Sequence, residues 1–443
     1  MARQLNAPPG APHAAANPIT KPWFALIDMN SYFATLEQQA NPYLRGKPMG
    51  ILKESGRSCV IAASKEAKQF GIKTGESLWE ARKKAPGFIA VPADFDRYFH
   101  NTKQLQSIFT NLSPEVDLFS LDEAFLDLTS CRTLYPDAQS FFKVSQERIQ
   151  ATLGSWVTFS LGIGQNRIQA KLASEFSDKN SYFEITDDNL QGVLMDTKVE
   201  EICGIGFRLG HRLHMLGITH VYQLNFCADE FLTEHFGPFW GPQLRLIGQG
   251  KETHFLDLRS HQPVHMKSVS RSKTLFVATK DPKYVQQMLY NLAEDMCFKA
   301  RRMKLAGCDV GFSLRDTDGK HWGGKLHLKG RWVANTDDVF SLIEGIFHSM
   351  YRSSLSADTP PELPTKIIKA GVWLSGLRPM ADLPTSWLPE TDKRAKIFQA
   401  IDKVNEKHGL FTITSGKLMN FKIIRPEVTG YLGDKTYQMQ FSG

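Results

Sequence analysis

Hydrophobic spacing divides the chain into three stretches of different texture. In the first, short apolar runs alternate with segments whose apolar residues recur at helical spacing. Trp23–Ile27, Val60–Ala63, Val116–Ser120, Phe125–Leu128 and Thr158–Gly162 predict strands. Ser31–Ala40, Lys65–Phe70, Ser77–Lys84, Tyr98–Leu112, Ala138–Leu153 and Ile168–Phe176 predict helices. Gly71 ends the second helix and Pro86-Gly87 the third. The alternation places residues 23 to about 186 in an α/β or α+β class.

The second stretch, Leu190–Gly250, lacks strand-like runs and is punctuated by glycine, which predicts a small helical domain. Polar Leu256–Met266 predicts a linker. In the third stretch, a strand near Ser268–Phe276 precedes a long helix, Pro282–Met303. Strands at Asp309–Arg315 and Lys325–Lys329, a helix at Asp337–Arg352 and a strand at Lys366–Ser375 follow. The order βαββαβ predicts a small sheet covered by two helices. Lys393–Lys407 predicts one more short helix, and the chain shows no internal repeat.

At 443 residues the chain is long enough for two to four domains. No apolar run approaches the roughly 18 residues of a membrane span. Residues 1–22 are rich in Ala, Pro and Asn, lack a secretory apolar core, and read as a disordered extension. The net charge of +7 is modest, but its distribution is not even. From His265 to Arg331 there are fourteen Lys/Arg against six Asp/Glu, an excess suited to a polyanion, or simply a solvated basic face. Six scattered cysteines without a C-x-x-C pair argue against a zinc site and for reduced thiols in a cytoplasmic protein.

Two acidic clusters carry the chemistry. One is Asp28-Met29-Asn30-Ser31-Tyr32-Phe33-Ala34 and the other is Ser120-Leu121-Asp122-Glu123-Ala124-Phe125-Leu126-Asp127. Each adjoins an apolar run, and carboxylates at strand ends can converge on a pair of divalent cations. Taken alone, Asp28 also reads as a helix N-cap and Asp122-Glu123 as a turn. Adjacent strand residues point to opposite faces, so Asp122 and Glu123 can act together only if the chain turns there. The Met29 carbonyl is a further hard ligand for magnesium. Phe33 suits a flat surface beneath a sugar, where a bulky ring excludes a 2′-hydroxyl, or plain core packing. Lys65 and Lys68 share a helical turn, and Lys171 follows Gly162-Ile163-Gly164; each is a point-charge partner for a triphosphate or an ordinary surface lysine. Gly204-Ile205-Gly206, with Leu209, Leu213 and Gly217, resembles a helix–hairpin–helix turn that offers amides to DNA phosphate. The alternative there is a tight interhelical turn.

These motifs, with Ala67-Lys68-Gln69-Phe70-Gly71-Ile72-Lys73-Thr74-Gly75 and Ala170-Lys171-Leu172-Ala173, resemble those of the Y-family translesion DNA polymerases of bacterial DinB and UmuC type. The resemblance implies an α+β multidomain right-hand fold. Palm would take residues 23–32 and 96–187, small fingers 33–95, and a helical thumb 188–255. A linker would follow at 256–266, then a βαββαβ little finger at 267–378 and a tail at 379–443. By resemblance, Asp28, Met29, Asp122 and Glu123 hold two Mg²⁺ ions, with Mn²⁺ as a substitute. Phe33 matches the steric gate, and Tyr32, Lys65, Lys68 and Lys171 the triphosphate site. Gly204, Ile205, Gly206, Arg271, Lys273 and Arg331 are the expected DNA contacts. The implied activity is template-directed, low-fidelity synthesis past damaged bases, on primer–template DNA and dNTPs. Alternatives are a non-catalytic DNA-binding scaffold of the same fold and a nucleotide cyclase. Lys65 and Lys68 depart from the DinB pattern toward UmuC, as does Lys369-Ala370-Gly371-Val372. Leu383-Pro384-Thr385-Ser386-Trp387-Leu388 is the nearest sliding-clamp segment, without the usual Gln.

Overall fold

The computed structural model describes residues 21–52, 59–253, 256, 266–352, 363–383, 389–409 and 411–424. They fall into two units, one ending at residue 256 and the other beginning at 266. Of the expected clamp segment only Leu383 is described; residues 384–388 lie outside the described residues.

The first unit opens with β1 (Phe24–Met29), α1 (Tyr32–Ala40), β2 (Met49–Leu52) and β3 (Val60–Ala63). It continues through α2 (Lys65–Gln69), α3 (Leu78–Lys84), β4 (Ile89–Pro92) and α4 (Phe95–Thr110). Next come β5 (Glu115–Leu118), β6 (Glu123–Asp127), α5 (Ala138–Leu153), β7 (Phe159–Gly164), α6 (Arg167–Phe176) and β8 (Tyr182–Glu184). Helices α7 (Leu190–Asp196), α8 (Phe207–Met215) and α9 (Asp229–Gly248) close it.

Its main sheet has the order β5-β6-β1-β7-β8, and β3-β2-β4 form a second sheet. Strand β1 lies at the centre of the main sheet and is apolar on both faces. Ala25, Ile27 and Met29 join Phe109 of α4 and Phe141 of α5 in the main core. The larger of these buried side chains each contribute about 1.5–3 kcal/mol. Leu26, on the opposite face, packs with Phe125 of β6 and Ala170 of α6. Helix α6 can come this close because β7 carries Gly162. A Cβ there would lie 2.0 Å from the Ala170 carbonyl oxygen and 2.2 Å from the Ser174 nitrogen. Helices α7–α9 gather around Ile202, Leu213, Leu232 and Leu244, a helical cluster as the glycine-punctuated sequence predicts.

Several boundaries move from the sequence expectation. Helix α4 begins at Phe95 rather than Tyr98, because the Asp94 side chain accepts the Arg97 amide and caps it. Strands β2, β4 and β8, short and set among proline, glycine or polar residues, are not among those the sequence predicts. Strand β6 starts at Glu123 rather than Phe125, which matters for the site.

The second unit contains β9 (Ser268–Thr279), α10 (Pro282–Arg302), β10 (Leu305–Asp316), β11 (His321–His327), α11 (Thr336–Arg352), β12 (Ile367–Pro379) and α12 (Pro389–His408). The first six have the predicted βαββαβ order, and the sheet runs β11-β10-β12-β9, antiparallel throughout. Val310, Phe312 and Leu314 of β10 share a core with Ala370, Val372 and Leu374 of β12 and with Met288, Leu292 and Met296 of α10. Helix α12 is tied to α10 by Arg301, whose Nε and Nη2 each donate to the Asp402 carboxylate at 2.7 Å. Strand β11 begins four residues before its expected start, because Gly323 and Gly324 carry no strand signal.

Candidate active site

Asp28 is the fifth residue of β1 and lies directly opposite Glu123, the first residue of β6. Directly opposed side chains have Cβ atoms about 4.5–5.5 Å apart. The two-residue period puts both carboxylates on the face that Leu26 and Phe125 share with α6. Asp122 adjoins them through its backbone, whose carbonyl accepts the Met29 amide at 2.9 Å. The amides of Phe119 and Ser120 both donate to the Glu123 carbonyl at 3.0 Å. The chain therefore turns at Ser120-Leu121, and Asp122 stands ahead of the strand rather than on its opposite face. The Ser120 hydroxyl donates to the Asp122 carboxylate. Asp127 lies at the far end of β6, opposite Phe24, roughly 13 Å along the strand from Glu123. Its Oδ1 accepts the Thr129 amide and caps the next turn.

Burial first, and then the Glu123 charge, push the Asp28 carboxyl up to about 8, with Lys171 opposing and Asp122 adding. The Lys171 ammonium donates to Glu123 Oε1 at 2.9 Å. Burial alone would lower its pKa, but Glu123 and then Asp28 more than compensate and leave it raised. From α2, Lys68 is coupled to the same acids. Burial and the Lys179 ammonium lower its pKa, while Asp28 and Asp122 pull it upward. Lys65 is exposed on the same helix. Lys179 is a cation that the sequence did not single out; its only signal was its place in the loop after α6.

Helix α1 begins three residues beyond Met29, after Ser31 in a left-handed conformation (φ 49°, ψ 44°). Phe33 is half-buried and stacked on Tyr98 of α4, ring centroids 4.3 Å apart and planes within 10°. Phe95 meets Phe33 edge-on at 6.4 Å. The Tyr98 hydroxyl donates to Glu37 at 2.9 Å, so the stack is itself anchored. The Tyr32 side chain is only 2% exposed, with its hydroxyl 3.2 Å from Thr102 Oγ1. A role for Tyr32 at a triphosphate is thus confined to its main chain.

In the helical cluster, Gly204 has φ 94° and Gly206 is the N-cap of α8. The expectation for Ile205 changes. Its side chain is buried, and its amide donates to the Ile202 carbonyl at 3.0 Å, leaving it no anion contact.

The second unit corrects the expected basic contacts. Arg271 and Lys273 alternate in register with Val269 and Leu275, so they lie on the helix-covered side of β9. Arg271 Nε pairs with Asp295 of α10 at 2.5 Å, and both side chains are largely buried. Arg331 is exposed, in the loop after β11. The opposite, open face presents rows across the sheet. His321, Arg315, Lys369 and Thr274 form one row; Gly323, Ser313, Gly371 and Ser272 the next; Lys325, Gly311, Trp373 and Ser270 the third. The charge excess of the segment does not single out Arg315, Lys325 and Lys369, because strand parity decides which basic residues reach the open face.

A carboxylate cluster on adjoining antiparallel strands, with lysines from two helices at its rim, has the donor types that two-metal phosphoryl chemistry uses. The comparisons agree. Residues 27–175 match the impB/mucB/samB family, and residues 266–385 match its C-terminal domain. The DNA polymerase IV of Xanthomonas campestris pv. campestris is 32% identical over 79% of this chain and 92% of its own length. That of Moorella thermoacetica is 29% identical over 87% of this chain and 93% of its own length. A solved Y-family DNA polymerase chimera of Dbh and Dpo4 shares the fold at a TM-score of 0.64 and 21% identity, covering 80% of this chain and 98% of the chimera. The chain belongs to the Y-family of DNA polymerases and is of DinB type. Dependence on a divalent metal comes with that family. The donor set fits it: three carboxylates, hard oxygen ligands, gather around one closely paired lysine. Among the described residues no helix is long and apolar enough to cross a membrane.

Proposed function

We propose that this protein copies primer–template DNA past damaged bases, joining dNTPs by two-metal nucleotidyl transfer at Asp28, Asp122 and Glu123. The observation that carries the assignment of these residues is the cross-strand pairing of Asp28 with Glu123, beside Asp122 and under Lys171. The primer 3′-hydroxyl attacks the α-phosphate of the dNTP and pyrophosphate leaves. Two Mg²⁺ ions, replaceable by Mn²⁺, supply the charge neutralisation and the activated oxygen. The three carboxylates hold them, with the Met29 carbonyl beside. Lys171 and Lys68 take the triphosphate, which requires Lys171 to leave Glu123. Such fixed charges stabilise a transition state in which phosphoryl oxygens carry the developing charge.

Phe33, held by Tyr98, closes the sugar side of the site against a 2′-hydroxyl. The glycine turn at Gly204 and Gly206 and the open sheet face with Arg315, Lys325 and Lys369 contact DNA phosphates without reading bases. The comparison with enzymes named DNA polymerase IV favours synthesis over a scaffold or a cyclase. Clamp binding through 383–388 is part of the same proposal. Primer extension on intact and lesion-bearing templates, wild type beside Asp122→Ala, is the test. Loss of incorporation in the variant, with DNA binding retained, is expected. Equal incorporation by both would end the assignment.

A further inference from the structure

We propose that Cys308, Asp309 and His327 form a divalent-metal site of zinc class at the edge of the second unit's sheet. The sequence argued against zinc because no C-x-x-C pair exists. Register supplies what spacing withheld: Asp309 of β10 pairs directly with His327 of β11, eighteen residues away. One ligand atom from each of the three residues lies within 4.8 Å of the others. His327 Nδ1 donates to Asp309 Oδ1 at 2.8 Å, and the Cys308 thiol points at Asp309 Oδ2 from 3.8 Å. In a tetrahedral zinc site the corresponding ligand–ligand spacings are about 3.3 and 3.5 Å. Both observed spacings are within about 0.5 Å of these. The His327 ring is 59% exposed and free to make the remaining adjustment.

Two further features set this cluster apart from an ordinary surface pair. Gly376 of β12 has φ +61°, and a Cβ there would come within 2.4 Å of Cys308 Sγ and 2.9 Å of Asp309 Oδ2. The adjoining strand thus leaves the space into which thiol and carboxylate converge. Beyond the three rows already described, His327, Asp309, Ser375 and Ser268 form a fourth row of the open face, and Asp309 is the one carboxylate in the four, whose Lys and Arg residues are Arg315, Lys325 and Lys369. A thiol and an imidazole directed at one carboxylate are the protonated form of a mixed S, N, O donor set. That set suits zinc or cobalt and not magnesium. Binding releases the thiol proton, so the site gains one net positive charge. The fourth position faces solvent, open to water or an anion. On the proposed function, occupancy would remove the one negative charge from a DNA-facing surface. That consequence rests on the proposed function; the site itself does not.

The test is titration of the full chain with Co²⁺ in the presence of excess Mg²⁺, followed by the thiolate-to-cobalt charge-transfer band, without DNA. Oxygen-only ligands at Asp28, Asp122 and Glu123 give no such band, so the two sites are read separately. A band saturating at one equivalent, displaced by Zn²⁺ and abolished in Cys308→Ser and in His327→Ala, is expected. Both substitutions are at partly or largely exposed positions, and unchanged circular dichroism verifies the fold. No band in the wild type, or a band that either substitution leaves in place, overturns the proposal.

Discussion

Replacing Asp28 with Asn should stabilise the metal-free protein while ending its activity. The wild-type carboxyl sits at about 8 against an ordinary value of 3.8, raised by burial and by Glu123. Between about pH 4 and pH 8 the folded state therefore holds a proton that the unfolded chain releases. The unfolded state binds fewer protons, so wild-type stability falls as pH rises through that window. Asn has the shape of the protonated acid and does not titrate. At 1.36 kcal/mol per pH unit, the gap at pH 7 has a ceiling of about 4 kcal/mol, and at pH 5 of about 1.5 kcal/mol. Local relaxation reduces such penalties, and about 2 kcal/mol at pH 7 is the expected gain for Asp28→Asn. Urea unfolding in EDTA at pH 5, 7 and 8 measures it. Added Mg²⁺ should reverse the order, since a ligand bound only by the folded wild type stabilises it. A variant no more stable than wild type at pH 7, or a gain that does not shrink toward pH 5, would refute the electrostatic account.

Phe33→Ala should admit ribonucleotides at least ~10-fold more readily, read from single-nucleotide incorporation of paired rNTP and dNTP. Its folding cost should be about 1–2 kcal/mol, below the value for a fully buried ring, because Phe33 is half-buried. Unchanged sugar discrimination would make Phe33 a packing residue only. Arg271→Ala should destabilise the second unit by about 2 kcal/mol, because it removes the charge-assisted hydrogen bond to buried Asp295 and leaves that acid only Lys299 beside it. It should leave the salt dependence of DNA binding as it was. Arg315→Ala and Lys369→Ala should do the reverse, each flattening the log–log salt slope by about 0.9 with stability intact. Fluorescence anisotropy over a salt series, beside thermal melts, separates the two behaviours. A flattened slope for Arg271→Ala with no loss of stability would mean that the face assignment is inverted.

How much was legible depended on whether a residue's partner lay at a fixed offset. The strand around Ile27 and the helix beyond it were readable because apolar spacing encodes both. The acids were found as local strings, but their meeting needed the β1–β6 register, which no short-range pattern contains. Lys179 and Tyr98 were missed for the same reason. Each acts through a neighbour distant in the chain, Lys68 and Phe33 respectively. Arg271 shows a different limit. It was read as a cation in a basic segment, whereas its place beside Val269 and Leu275 on one strand face decides its partner. Parity was present in the sequence and outweighed charge. The glycines of β11 hid a strand because they lack the side chains by which strands announce themselves.

Charge stoichiometry distinguishes the clusters that hold this protein together from those that equip it. Arg301 meets Asp402 through two hydrogen bonds, and Asp295 is met by Arg271 with Lys299 beside it: each acid is at least matched by cations within a packed interface. Such pairs are close to self-compensating, and breaking one leaves a buried charge. At the end of β1 the balance is different. Asp28, Asp122 and Glu123 gather at one strand end, where Lys171 pairs with Glu123 and Lys68 feels Asp28 and Asp122. Burial, with the neighbouring acids adding to it, leaves a carboxyl that holds its proton near neutral pH. Apolar side chains at that sheet end would stabilise the fold better. The excess of acid is intelligible as a demand for cations from outside the chain, and strained electrostatics of this kind concentrate at functional sites. The edge cluster at Cys308, Asp309 and His327 follows the same logic on a smaller scale. Its carboxylate accepts from two protonated ligands and has no paired lysine or arginine among the described contacts.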